Sequence, residues 1–154
     1  MLSLVADDNI LVATLASGFV LYPADKTNNE FKWLALPKGI SNIQIKLGTS
    51  TQCLLSRDES LAVAGLRKEL FVWDISSCLL IHQLQAHVGR IIKMASLTAG
   101  NANCILTSSI DKTIKVWDLD LIDEPVRSAD SHDLPVVDVF TNEEGFITAV
   151  YFEI

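Results

Sequence analysis

Residues 105–118 read ILTSSIDKTIKVWD. Two short runs rich in β-branched residues, Cys104–Ser108 and Thr113–Trp117, flank a turn that carries Asp111, which is the pattern of a β-hairpin. The same outline returns at residues 61–74, LAVAGLRKELFVWD, where Trp73 stands 44 residues before Trp117. Recurrence at a fixed spacing marks one supersecondary unit used more than once, because a lone unit cannot bury its apolar face.

Working outward, a weaker copy spans Ile10 to Pro23, with Tyr22 in the place of the tryptophan and 51 residues before Trp73. His87 in QLQAHVGRIIKM and His132 in SADSHDLPVVDVF stand 45 residues apart, each ahead of a β-branched run. Leu61–Ala64, Leu70–Trp73, Val136–Phe140 and Phe146–Tyr151 read as further strands, and Phe31–Leu36 as an outer strand. Pro23–Asn29 reads as a loop, and Pro37–Thr51 as a loop or an irregular strand pair. No stretch carries an apolar stripe of period 3.6 over the length of a helix. The expectation is an all-β chain of four-stranded antiparallel propeller blades, whose period is about 40–45 residues. Blades cover one another on both faces, so their inner strands can be almost wholly apolar. That accounts for a mean hydropathy of +0.32.

Composition narrows the function classes. The 154 residues are 49% hydrophobic and 20% charged, which excludes disorder. With 12 Lys and Arg against 19 Asp and Glu, the net charge is −7, and no Lys/Arg cluster stands in the sequence. Nucleic acid is therefore not expected as a partner. Cys53, Cys78 and Cys104 lie in apolar stretches without metal-ligand spacing and read as small core side chains in a reducing compartment. The apolar segment Ile10–Tyr22 is too short to span a bilayer, and Asp7 and Asp8 precede it instead of a basic flank. The chain reads as soluble and cytoplasmic, with the nucleus left open, and no membrane insertion is expected. No phosphate loop, zincin or nucleophile-elbow motif occurs, and no cofactor is expected. His82 five residues before His87, with four residues between them, is too weak a pattern for a metal site. Glu143-Glu144 before Gly145 reads as a solvated hairpin turn.

Residues 87–118 resemble the WD-repeat family. The likeness rests on His87 ahead of the blade, Asp111 in the turn between its middle strands, and Val116-Trp117-Asp118 closing the third strand. It implies a hydrogen-bonded structural tetrad of His87, Thr107, Asp111 and Trp117, with Ser109 as the alternative to Thr107. Such a set also looks like a catalytic Ser/Thr-His-Asp triad. The indole that takes up the hydroxyl, and a place inside a blade, favour the structural role.

The other copies depart from this pattern. In the blade that ends at Trp73-Asp74, Arg67 stands where Asp111 does and Ile43 where His87 does. The first blade has Ala16 at the aspartate position and no tryptophan. Both are expected to rely on apolar packing. Approximate blades are 1–36, 51–84, 87–129 and 132–154, the last cut before its expected aspartate near 156. Three and a half blades do not close a ring in the usual way. The sequence thus reads as an internal fragment, a short form or an incomplete record of a larger WD-repeat protein, or as half of a ring made by two copies. Self-association through exposed blade edges is a further expectation.

Binding in the family uses the loops ahead of each blade and the turns between its middle strands. The matching positions are Leu66, Arg67, Arg90, Ile110, Leu134 and Pro135, with Leu66 and Ile110 expected to place apolar groups on exposed turns. Taken together, the resemblance implies a protein–protein interaction scaffold, a regulatory or sensing module of a larger signalling protein. The alternative is an architectural subunit of a stable complex, and an enzyme is not expected.

Overall fold

The computed structural model describes residues 4–6, 10–15, 18–23, 31–37, 52–97, 103–129, 133–141 and 147–151. Every regular element among them is a β-strand. The first sheet is β1 (Leu4–Ala6), β2 (Ile10–Leu15), β3 (Gly18–Pro23) and β4 (Lys32–Ala35), and the second is β5 (Gln52–Leu55), β6 (Leu61–Leu66), β7 (Glu69–Asp74) and β8 (Leu80–Gln85). The third is β9 (Ile91–Leu97), β10 (Cys104–Ser109), β11 (Ile114–Asp118) and β12 (Arg127–Ala129), followed by the pair β13 (Val136–Thr141) and β14 (Ile147–Tyr151). In each sheet the strands pair with their sequence neighbours, all antiparallel. This is the blade of a β-propeller, repeated along the chain.

The blades stack face to face, and the two-residue period of a strand divides each blade between two neighbours. On β6, Ala62, Ala64 and Leu66 join Phe19, Leu21 and Leu34 of the first sheet, while Val63 turns the other way, toward Ile91, Met94 and Ile105 of the third. On β10, Ile105 faces the second sheet, and Leu106 faces Val136 and Val139 of the fourth. Strands covered on both faces carry no polar alternation, which is why β6 and β7 read as continuous apolar runs. The first strand of each blade lies innermost, so β5 touches β1 and β9, and β9 touches β13. The outer strands return to alternation on β8 and to full exposure on β12.

Trp73 anchors the first junction. Its ring lies 5.2 Å from that of Phe19 across the blades and 6.0 Å from that of Phe71 beside it. Burying such rings contributes about 3–5 kcal/mol each by truncation. Of the three cysteines, Cys53 is buried, Cys78 and Cys104 are half-buried, and all remain thiols.

The second and third blades differ at their central turn. Arg67 and Lys68 alone join β6 to β7, and Arg67 takes φ 56° to close so short a hairpin. In the third blade the connection is longer, and Lys112 is the left-handed residue at φ 70°. A side chain in that region costs about 1–2 kcal/mol relative to the right-handed form.

Candidate functional site

The third blade holds a polar chain in its interior. The indole Nε1–H of Trp117 on β11 donates to Thr107 Oγ1 on β10 at 2.9 Å, and Thr107 Oγ1 lies 2.8 Å from His87 Nε2. His87 Nδ1 lies 3.0 Å from Asp111 Oδ2 and 3.0 Å from Thr113 Oγ1. An indole can only donate, so the single hydroxyl proton of Thr107 is free to go to Nε2, and the remaining imidazole proton then sits on Nδ1 facing Asp111. Donor counting, rather than an observed hydrogen, assigns this tautomer.

Asp111 is the hub. Besides His87 it accepts from the amides of Val88 at 3.0 Å, Gly89 at 3.3 Å and Thr113 at 3.0 Å, and from the Thr113 hydroxyl at 2.7 Å. Burial pushes its pKa up, but the Thr113 hydroxyl, the charge of His87 when protonated, and the amides outweigh it and hold the carboxyl below its usual range. Burial pushes His87 the other way from its ordinary value, against the pull of Asp111, and the net pKa is lowered. At pH 7 the imidazole is therefore neutral, and at that pH the hydrogen bonds keep Asp111 ionised. The network ties the loop ahead of β9 to the turn between β10 and β11, and both to the blade interior.

These groups resemble a nucleophile, base and orienter in composition only. Thr107 is fully buried, its lone pair receives the indole proton and its own proton points to Nε2. No substrate atom can reach it without dismantling the blade. Ser109, the alternative hydroxyl, lies on the same face two residues on. It instead accepts from the Asp111 amide at 3.1 Å, shaping the turn.

The second blade solves the same problem differently. Val63 occupies the position of Thr107, 44 residues earlier, and offers no hydroxyl. The Trp73 indole therefore crosses to the neighbouring blade and donates to the Ala35 carbonyl at 3.0 Å. Apolar packing is thus supplemented by one inter-blade hydrogen bond. Sequence reasoning missed this acceptor, since a backbone carbonyl leaves no residue signature. It also missed Thr113, for which Asp111-Lys112-Thr113 was a usable signal, because an Asx turn places the aspartate on the amide two residues on. Ile43, Ala16, His132, Glu143–Gly145 and most of the connection 37–51 lie outside the described residues.

The loops above the network form one ridge along a rim of the blades. Ile91 N donates to Arg67 O at 2.6 Å, Ile110 N donates to Arg90 O at 3.0 Å, and Lys112 Nζ donates to Asp133 O at 2.9 Å. Ile110 also packs on Gly89, where a Cβ would come within 2.7 Å of Ile110 Cγ1. Arg67 and Arg90 are exposed, Ile110 is 44% exposed, and Val88 beside them is 84% exposed. Leu134 and Pro135 are half-buried at the end of the ridge. Leu66 does not belong to the surface. It is only 3% exposed, because as the last residue of β6 it continues the Ala62 and Ala64 face into the first core. The two-residue turn leaves exposure to Arg67 and Lys68 alone.

The opposite rim is built on carboxylate-centred turns. Asp58 accepts from the hydroxyls of Ser56 and Ser60, each at 2.7 Å, and from the amide of Asn103 at 3.4 Å. The Ser56 and Ser60 bonds lower its pKa. Asp74 of the first Trp-Asp pair accepts from the hydroxyls of Ser76 and Ser77, each at 2.6 Å, which lowers its pKa to about 2. Asp118 of the second accepts from the Asp120 amide at 3.0 Å. The aspartate that follows Trp73 and the one that follows Trp117 thus make the turns out of the third strands of their blades.

No family model matches the chain. Over 70 residues it is 39% identical to the small ribosomal subunit protein RACK1 of Caenorhabditis elegans, covering 40% of this chain and 22% of that protein. Over 81 residues it is 28% identical to autophagy-related protein 16 of Arabidopsis thaliana, covering 52% of this chain and 16% of the relative. Both relatives are WD-repeat proteins. The chain thus spans about a fifth of each. A crystal structure of the mitotic checkpoint complex holds a chain that superposes on 97% of this one with a TM-score of 0.71 at 16% identity, over 42% of its own length. The computationally designed Ika8 protein superposes on 97% of this chain with a TM-score of 0.62 at 19% identity, over 45% of its length. Likeness at those identities shows the fold. With the repeats, the buried tetrad and the two relatives, it supports a likeness to the WD-repeat β-propeller proteins, with the described sheets forming a partial propeller.

Proposed function

We propose that the chain is a protein-interaction scaffold that presents the ridge carrying Arg67, Val88, Arg90 and Ile110 to another protein. The observation that carries it is the contrast between the two layers of the rim. Below, the polar groups of His87, Thr107, Asp111 and Trp117 find their partners within the blade. Above, the loops they fix hold out Val88 and Ile110 to solvent. Side chains held on a rigid frame lose little entropy on docking, and arginine is among the residue types that carry interface energy. The same satisfied network argues against catalysis. Leu134 and Pro135 extend the ridge. We further infer a regulatory or sensing module of a larger cytoplasmic signalling protein, the role that the WD-repeat likeness implies.

The test is affinity purification of the tagged chain beside its Ile110→Glu variant. A protein recovered with the parent and lost with the variant, at unchanged melting temperature, supports the scaffold role. Equal recovery with both removes the ridge from it. Stoichiometric labelling of Thr107 by a fluorophosphonate probe would overturn the non-catalytic role.

A second role, architectural subunit of a stable assembly, is favoured by the likeness to a small ribosomal subunit protein. Gradient sedimentation separates the two, since an architectural subunit migrates only with one large particle and a regulatory scaffold also migrates free. Among the described residues, no helix is long and apolar enough to cross a membrane.

A further inference from the structure

We propose that the ridge docks an acidic segment of a partner protein that also carries an aliphatic side chain. This rests on the scaffold role above and names the chemistry of the partner. The fold gathers four cations that are scattered in the sequence. Arg67 and Lys68 come from the turn after β6, Arg90 from the loop before β9, and Lys112 from the turn after β10. All four are exposed. Among the described residues, the side chains of Arg67, Lys68 and Arg90 have no hydrogen bond or ion pair. Lys112 meets only the Asp133 carbonyl, which leaves its charge uncompensated.

The carboxylates nearby do not cancel these charges. Asp111 is turned inward on its donors, Glu69 is half-buried at the start of β7, and Asp138 pairs with Lys93 at 3.3 Å. Asp133 is the one exposed carboxylate among the described residues of the ridge. The opposite rim instead carries Asp58, Glu59, Asp74, Asp118, Asp120, Asp123 and Glu124, with Arg57 among them. Of the seven exposed lysines and arginines among the described residues, four gather on the ridge, while Lys32, Arg57 and Arg127 lie away from it, so the ridge carries a local positive field. Such a field draws in and orients a negative segment before contact forms. Val88 and Ile110 lie between the cations, and each asks for an apolar neighbour. Nucleic acid fits less well. No aromatic among the described ridge residues offers a base a stacking platform, and the overall charge repels a long phosphate chain.

Backbone strain supplies clean variants. Arg67 and Lys112 both hold left-handed φ values, 56° and 70°, which glycine adopts freely. Arg67→Gly and Lys112→Gly thus delete charge while relieving the turn, and their melting temperatures are expected to equal or exceed that of the parent.

The experiment pans a displayed library of random dodecapeptides on the full chain, then measures the enriched peptides against the parent, Arg67→Gly/Lys112→Gly and Arg90→Ala. Enriched peptides should combine Asp or Glu with an aliphatic residue. Their affinity should fall at least about tenfold in the glycine double variant, and weaken as salt rises from about 50 to 300 mM. Enriched peptides without acidic bias that still lose binding in the variants would overturn the acidic partner and leave the scaffold ridge standing. Peptides that bind parent and variants equally, or no enrichment at all, would overturn both. Displacement of the peptides by a single-stranded RNA of similar length at lower concentration would also overturn the proposal in favour of nucleic acid.

Discussion

Replacing Thr107 by valine isolates the buried network from the packing around it. The two side chains have nearly the same shape, so no cavity opens, but the hydroxyl that bridges Trp117 and His87 disappears. The indole N–H and the imidazole Nε2 are then both left in a fully buried site without a partner. Each such orphan costs about 1–3 kcal/mol. The expected total is about 3 kcal/mol, a large part of the roughly 5–15 kcal/mol that holds a domain folded. For a chain of this size that corresponds to a fall of roughly 6–12 °C in melting temperature. Urea titration followed by tryptophan fluorescence gives the free energy directly, with the slope expected to stay that of the parent. The second blade provides the control. It carries Val63 at this position and directs its indole to Ala35 O, so Val63→Thr should bring no matching gain. A loss below about 1 kcal/mol in Thr107→Val would refute the claim that this hydroxyl links indole and imidazole.

Further outcomes follow from the same geometry. Stability should decline as pH falls from 7 to 5. His87 has a lowered pKa in the folded chain and stays neutral, while the unfolded chain takes up a proton near its ordinary value of about 6.5. Asp111, also lowered, adds a further loss as pH falls below about 4, and urea midpoints at several pH values should show the first of these steps flattened in His87→Gln. Gly89→Ala should cost about 1–3 kcal/mol, because its Cβ would meet Ile110 Cγ1 at 2.7 Å and the Asp111 amide nitrogen at 2.9 Å. Gly65→Ala should cost less, since the close neighbour there is the Met94 sulfur at 2.7 Å, on a side chain that can swing away. Paired thermal melts rank the two glycines. Trp73→Phe should lose about 1 kcal/mol with its inter-blade hydrogen bond to Ala35, over and above the change in ring size.

The blade was legible in the sequence because its signals are local and repeated. Two tryptophans 44 residues apart, each closing a β-branched run, fix the period, and His87, Asp111 and Trp117 fall at its landmarks. What escaped depends on register and on distant chain. Thr107 and Ser109 share one face of β10, so alternation could not choose between them. The choice follows from which hydroxyl lies beside both the indole and the imidazole. Leu66 looked like a turn residue because the turn in the neighbouring blade is longer. A two-residue turn keeps it on the core face of β6. Ala35 O is a backbone acceptor from another blade and leaves no mark in the sequence. The four ridge cations come from three separate loops, so no linear search finds a basic cluster.

The most direct test places a photo-crosslinking amino acid at position 110 or, in a second version, at position 121, and irradiates living cells. Leu121 on the opposite rim is 74% exposed and Ile110 is 44% exposed, so exposure alone would favour crosslinking at 121. The ridge as partner surface predicts a discrete protein adduct from position 110 and none of comparable yield from position 121. An adduct from 121 only, or from neither position, would contradict it.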